Sequence, residues 1–300
     1  MTPSPTPTQA STPAHDHYEN FPVASWLCPP RLRPPIAAIY AFARTADDIA
    51  DEGEAAAAVR LQDLADFRAD LHATAAGQPA TGRWPEVFPP LAAQIRQWQL
   101  PVPLLDDLLD AFVQDVEMTR DGATYADRTA LMDYCRRSAN PVGRLLLHLY
   151  GIDDAESLAQ SDAVCSGLQL ANFWQDLSVD LPRHRHYVCD ADLLRFGLER
   201  QALDRGRDTP ATRALVADAT TWARRLLLQG APLALRVPGR TGWELRLVVQ
   251  GGLRILDRIS ILDHATLARR PQLGPADVLT MLWRALHMRG PANGTIRADT

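Results

Sequence analysis

The sequence has no lysine: all 31 of its basic side chains are arginine. That absence excludes a phosphate-gripping P-loop lysine, a Schiff-base lysine and a pyridoxal-phosphate anchor together. Phosphate recognition stays open, because arginine's planar fork binds phosphate oxygens in pairs. Cysteine is also scarce. Cys28, Cys135, Cys165 and Cys189 form no CxxC pair and no zinc-ligand spacing, which reads as reduced, buried thiols in a cytoplasmic protein. A basic surplus is missing too: net charge is −5 and the pI is near 5.9, so no nucleic-acid partner is expected. No run approaches the ~18 consecutive apolar residues of a membrane-spanning helix. Residues 1–15 are rich in Thr, Pro, Ser and Ala, with neither a basic start nor an apolar stretch. They read as a disordered tail rather than a signal peptide, and residues 291–300 as a C-terminal tail.

What is present is 46% hydrophobic and 22% charged, ample for a sizeable core over residues 16–290. Period-2 strand patterns are missing, and from Pro34 onward the periodicity is helical. Proline and glycine punctuate it: Pro29-Pro30 and Pro34-Pro35 ahead of the first long helix, a loop over Gly77–Pro90, then Pro101, Pro103, Gly151 and Pro182. The expectation is a single all-α domain of roughly eight to ten helices at ordinary helix lengths.

Two segments combine an apolar helix with a polar stripe. In Ile36–Asp51, Tyr40, Arg44, Asp47 and Asp51 fall at i, i+4, i+7 and i+11, while Ile36, Ile39, Phe42, Ala43, Ala46 and Ala50 cover other directions. In Val164–Asp180, Gln169, Asn172, Asp176 and Asp180 make a second stripe beside Leu168, Leu170, Ala171, Phe173, Trp174 and Leu177. A solvated helix face is the bland reading of any DxxxD. It fits poorly here, since a carboxylate on a buried helix is costly unless paired or metal-bound. Aspartate is also a mediocre helix former. Carboxylates four residues apart on a helix lie about 5–6 Å apart, close enough to share hard cations. Mg²⁺ takes one or two carboxylates, keeps waters, and completes its shell with substrate phosphate oxygens. A third acidic run, Asp106, Asp107, Asp110 and Asp115, has its leucines and Phe112 on the opposite face, as an ordinary amphipathic surface helix would. It is therefore read as structural.

These residues resemble the squalene/phytoene synthase family of head-to-head prenyl transferases. ARTADDIAD at Ala43–Asp51 is similar to the family's first aspartate-rich motif, and QLANFWQDLSVD at Gln169–Asp180 to its second. Between them, YCRRSANPVGRL at Tyr134–Leu145 resembles the tyrosine-cysteine segment leading into a cavity helix. RHRHYV at Arg183–Val188 resembles the arginine-and-tyrosine flap. Four motifs in family order make the likeness specific, and it runs from about His17 to about Leu286. HYENFPVAS at His17–Ser25 and ELRLVVQGGLRILDRI at Glu244–Ile259 point to the family's hydroxysqualene synthase branch.

The resemblance implies an isoprenoid-synthase helical bundle around a central cavity. It implies metal ligation by Asp47, Asp51, Asn172, Asp176 and Asp180, with Asp48 beside them, holding about two or three Mg²⁺ ions. Tyr40, Arg44, Gln169, Asn140, Arg185 and Tyr187 would meet substrate or diphosphate; Tyr187, Phe173 and Tyr40 offer aromatic faces to a carbocation. Asn140-Pro141 reads equally as a helix break, and His184 and His186 equally as solvated loop residues. Two departures bear on the substrate. Tyr18-Glu19-Asn20 stands where many members carry a Ser/Lys/Ser-type phosphate patch, and Gly251 or Gly252 stands where a cavity tyrosine is usual, which would open space. Both suggest one pre-joined substrate, presqualene diphosphate, converted to hydroxysqualene without NADPH. Condensation of two prenyl diphosphates to presqualene diphosphate, squalene or phytoene remains the alternative. A non-catalytic assembly protein of the same fold would be expected to lose the aspartates. Lipid substrate and product also suggest peripheral membrane contact, although no basic amphipathic helix stands out.

Overall fold

The computed structural model describes residues 28–288, and no strand occurs among them. Helices α1 (Arg33–Asp51), α2 (Ala57–Ala75), α3 (Phe88–Trp98), α4 (Val102–Asp121), α5 (Arg128–Ser138) and α6 (Asn140–Tyr150) make the first half. The second half holds α7 (Ala155–Gln175), α8 (Leu177–Asp180), α9 (Asp190–Arg195), α10 (Arg200–Asp204), α11 (Pro210–Gly230), α12 (Leu233–Arg236), α13 (Gly239–Ile261) and α14 (Pro275–Leu286). The count exceeds the expected eight to ten because α8, α9, α10 and α12 are short turns of four to six residues, too brief to show a hydrophobic period. Several prolines expected ahead of helices lie inside their first turns. Pro34 and Pro35 in α1 are cases; a missing N–H is harmless there, since first-turn N–H groups have no intrahelical acceptor.

Two apolar clusters organise the chain. One joins α1, α2, α3 and part of α6, centred on Phe42, Phe67 and Phe88, with Phe42–Phe67 centroids 5.0 Å apart. Phe42 therefore anchors the inner face of α1, and truncating such a buried aromatic costs about 3–5 kcal/mol. The other gathers α5, α7, α11 and α13 around Trp174, Leu215 and Leu256. Helix α7 is its axis and packs closely along α11. That approach needs Gly230, where an added Cβ would sit 2.3 Å from the Gln160 backbone oxygen. Helix α4 bridges the clusters, giving Ala111 to the second and Leu105, Leu109 and Val116 to the first.

Candidate active site

The first polar stripe lies on α1 as the spacing predicts. Ile36, Ile39, Phe42 and Ala46 are buried, whereas Tyr40, Arg44, Asp47 and Asp51 are half-buried along one side. Arg44 serves the acids of its own helix, 3.1 Å from Asp47, 2.7 Å from Asp48 and 2.6 Å from Glu52. Arg185, from the segment after α8, pairs with Asp51. Burial nevertheless lifts the Asp47 carboxyl above its usual range, against the pull of Arg44 and with a further push from Asp48.

The second stripe is interrupted. Sequence spacing predicts one helix through Asp180, but the path tightens at Asp176 and resumes as α8, with Val179 N–H donating back to the Asp176 carbonyl at 2.8 Å. Gln169, Asn172, Asp176 and Asp180 are still all half-buried, with Leu170, Phe173, Trp174 and Leu177 packed inside. Arg270, from the loop ahead of α14, grips Asp176 with Nε 2.5 Å from Oδ1 and Nη2 3.2 Å from Oδ2. Among the described residues no arginine closes on Asp180. Burial, reinforced by Asp176, pushes its carboxyl up to about 7.

Between the stripes stands an aromatic wall. Tyr187 stacks on Phe173 at 3.6 Å between centroids and 9° between planes, with Tyr134 and Tyr125 at 6.2 and 6.3 Å from Tyr187. Tyr134 donates its hydroxyl to Asp115 at 2.7 Å. Asp115 departs from the surface reading of its run. Asp106, Asp107 and Asp110 pair outward with His72, Arg136 and Arg68, but Asp115 turns inward. Burial raises it to about 7, the Tyr134 hydrogen bond holds it down, and Asp47 and Asp180 push it up again. One carboxyl on the bridging helix thus feels both stripes. It opens, with Arg185, His186, Tyr125 and Tyr187, onto a narrow recess. His184 is exposed in a left-handed conformation, and burial lowers the half-buried His186 imidazole, whose Nδ1 has no hydrogen-bond partner among the described residues.

Metal fit rests on the donor set. Among the described residues no three carboxylate, imidazole or thiol groups already converge on one ion position. Arg44, Arg185 and Arg270 instead lie on Asp47, Asp51 and Asp176. Asp47, Asp51, Asn172, Asp176 and Asp180 are half-buried side chains with oxygen donors, the ligand type that hard divalent cations take. The residues fit Mg²⁺.

Other expected residues fare differently. Asn140 is buried, and its amide oxygen accepts from Ser166 at 2.9 Å, tying α6 to α7. Gly252 does not open space. A Cβ there would lie 2.6 Å from Leu168 Cδ2 and 3.1 Å from Leu227 Cδ1, so neighbouring leucines fill the place of a larger side chain; at Gly251 the nearest atom is Met281 Cε at 3.5 Å. Tyr18-Glu19-Asn20 and the His17–Ser25 signature lie outside the described residues.

Comparison with known proteins identifies the family. The family model for squalene/phytoene synthase matches residues 14–277. A hydroxysqualene synthase of Rhodopseudomonas palustris is 32% identical over 270 residues, 89% of this chain and 88% of the relative. One from Sinorhizobium fredii is 33% identical, covering 91% and 90%. The crystal structure of squalene synthase HpnC from Alicyclobacillus acidocaldarius superposes with a TM-score of 0.74 at 36% identity, over 83% of this chain and 90% of that one.

Proposed function

Because the chain belongs to the squalene/phytoene synthase family, we propose that it ionises presqualene diphosphate with Mg²⁺ and directs water onto the cation, releasing hydroxysqualene and diphosphate. The observation carrying the reading is similarity to hydroxysqualene synthases over about nine-tenths of both chains. The two stripes and the aromatic wall supply parts that such chemistry needs.

The reaction breaks the bond between the substrate's carbon and its diphosphate oxygen, and the electron pair leaves with diphosphate. Mg²⁺, when bound, draws negative charge off that leaving group. Asp47, Asp51, Asn172, Asp176 and Asp180 would hold the ions, with Asp48 beside them. Arg44, Arg185 and Arg270 would release their carboxylates and take over diphosphate oxygens. Stacked Tyr187 and Phe173, backed by Tyr134, keep bulk water from the cation; an aromatic face is worth roughly 0.5–2 kcal/mol to a nearby positive charge. Water then adds to carbon and must lose a proton. Asp115, near neutrality in its proton affinity and bonded to Tyr134, is our candidate to receive it.

The test incubates purified protein with Mg²⁺ and presqualene diphosphate, without nicotinamide, and identifies lipids by mass spectrometry. Hydroxysqualene is expected. No product there, with condensation of farnesyl diphosphate in a parallel reaction, would move the protein to the condensing members of the family.

A further inference from the structure

Helix α14 is amphipathic in the unusual sense. Its charged residues face the protein, and most of its large apolar ones face out. Asp277 is fully buried, held by Arg254 at 2.6 Å, Arg258 at 2.7 Å and the Gly274 N–H at 2.6 Å. Arg284 is tied inward to Asp257 at 2.6 Å, and Asp257 is also held by Arg224 at 2.7 Å. These bonds fix the helix's rotation. They leave Val278, Leu279, Leu282, Trp283 and Leu286 on the outside, with Leu279 71% and Trp283 61% exposed. Leu273 just ahead of the helix and Ile261 at the end of α13 are exposed too. Apolar side chains scattered singly need no explanation, but five on two adjoining faces of one helix do.

Charge points to what covers them. The chain is net −5, yet residues 269–300 carry five arginines against two aspartates. Arg270 and Arg284 are held by Asp176 and Asp257, and Asp277 by Arg254 and Arg258, which leaves Arg269, Arg289 and Arg297 against Asp299. One of those aspartates, Asp277, is buried beneath the helix, so α14 shows no carboxylate on its outward face. An apolar stripe bearing an exposed tryptophan, set in a basic segment of an acidic protein, is the complement of a bilayer with anionic headgroups. No helix among the described residues is long and apolar enough to cross a membrane, so the contact would be made on its surface.

We propose that the outward face of α14 docks the protein onto an anionic lipid bilayer. Leu279, Leu282, Trp283 and Leu286 enter the headgroup boundary, and the exposed Arg269 ahead of the helix is available to anionic headgroups. The inference draws in part on the proposed lipid substrate, since a C30 diphosphate and its alcohol partition into membranes. Its test does not.

Wild-type protein and the Leu279→Ser/Trp283→Ser double variant are floated with phosphatidylglycerol/phosphatidylethanolamine vesicles and with phosphatidylcholine vesicles, no substrate being added. Both altered side chains are exposed and the bonds of Asp277 and Arg284 are untouched, so the variant should keep the wild-type circular dichroism. Wild type should float with the anionic vesicles, less so with phosphatidylcholine, and the variant's bound fraction should fall about tenfold or more. Val59→Ser, at an exposed apolar residue on α2, should float like wild type. Wild type left in the buffer, a double variant that floats equally well, or a wild-type dimer that the variant dissociates in light scattering would each overturn the proposal. Formation of hydroxysqualene in detergent reports on the catalytic reading alone. The double variant should retain it, and absence of product from both proteins would count against that reading while leaving the flotation result standing.

Discussion

On α1 the carboxylates come with their own cation; at the junction of α7 and α8 they do not. Arg44 sits one turn from Asp47 and Asp48 and reaches both, an arrangement that forms as the helix forms. Asp176 depends on Arg270, 94 residues further along, and among the described residues Asp180 makes no ion pair, with Arg183 and Arg270 acting on it only at a distance. Equal spacing of acids thus yields unequal charge balance. Both aspartates of the first stripe meet an arginine, whereas in the second only Asp176 does among the described residues. The metal-binding reading places the larger electrostatic demand for Mg²⁺ there.

The comparison breaks most decisively at Asp176. Asp176→Asn keeps the side chain's shape and one oxygen for Arg270, so circular dichroism should be unchanged. Turnover should fall by about 10³-fold or more with loss of a metal-binding charge. Wild-type activity in that variant would sink the metal assignment.

Arg270→Ala sharpens the comparison from the other side. An arginine on Asp176 competes with any cation for that carboxylate, so its removal should tighten Mg²⁺ binding in the absence of substrate. The lost diphosphate contact should lower turnover roughly ten- to hundredfold. Titration calorimetry reads the first effect and steady-state assay the second; weaker Mg²⁺ binding would show that Arg270 is no stand-in for the ion.

The stripes were legible because a 3.6-residue period places acids on one line of helices that are otherwise apolar, and Phe42 and Trp174 fix which side is buried. Asp115 could have been found by the same rule. It lies seven residues beyond Leu108 and four beyond Ala111, both buried, so it belongs to the inner face of α4. Three outward acids in the same run concealed it. Arg270 gave no such signal, since a loop has no period and its partner is set by how α13 and α14 pack. The close approach at Gly252 was equally hidden: a glycine that makes room for neighbours and one that leaves a cavity look alike until Leu168 and Leu227 are placed.

Asp115 also makes the charge imbalance measurable without substrate. An unfolded aspartate titrates near ~3.9, whereas folded Asp115 titrates at about 7. Between those values the native protein holds a proton that the unfolded chain has released, so this group's contribution to stability declines as pH rises from about 4 to 7, then levels. Asp115→Asn has no proton to lose and can still accept from Tyr134. It should raise the metal-free protein's stability by about 1–2 kcal/mol at pH 8 and have little effect at pH 4. Urea unfolding at the two pH values checks this. A gain of the same size at both would mean that packing, not charge, separates the two side chains.

The smallest effect is expected at Tyr187, where ring and hydroxyl can be separated. Its ring lies flat on Phe173, and Tyr187→Phe preserves that stack while removing only the oxygen. If the ring's task is to wall the cation from bulk water, the variant should stay within about threefold of wild type in turnover, since replacing a phenol by a phenyl face changes little of the attraction to a cation. Tyr187→Ala, which opens the wall, should lose far more and yield altered water-quenched products. A Tyr187→Phe variant that instead raised KM tenfold with kcat unchanged would assign the hydroxyl to diphosphate binding. Tyr187 would then belong with Arg185 and Asp51 on the compensated side of the site rather than with the aromatic wall.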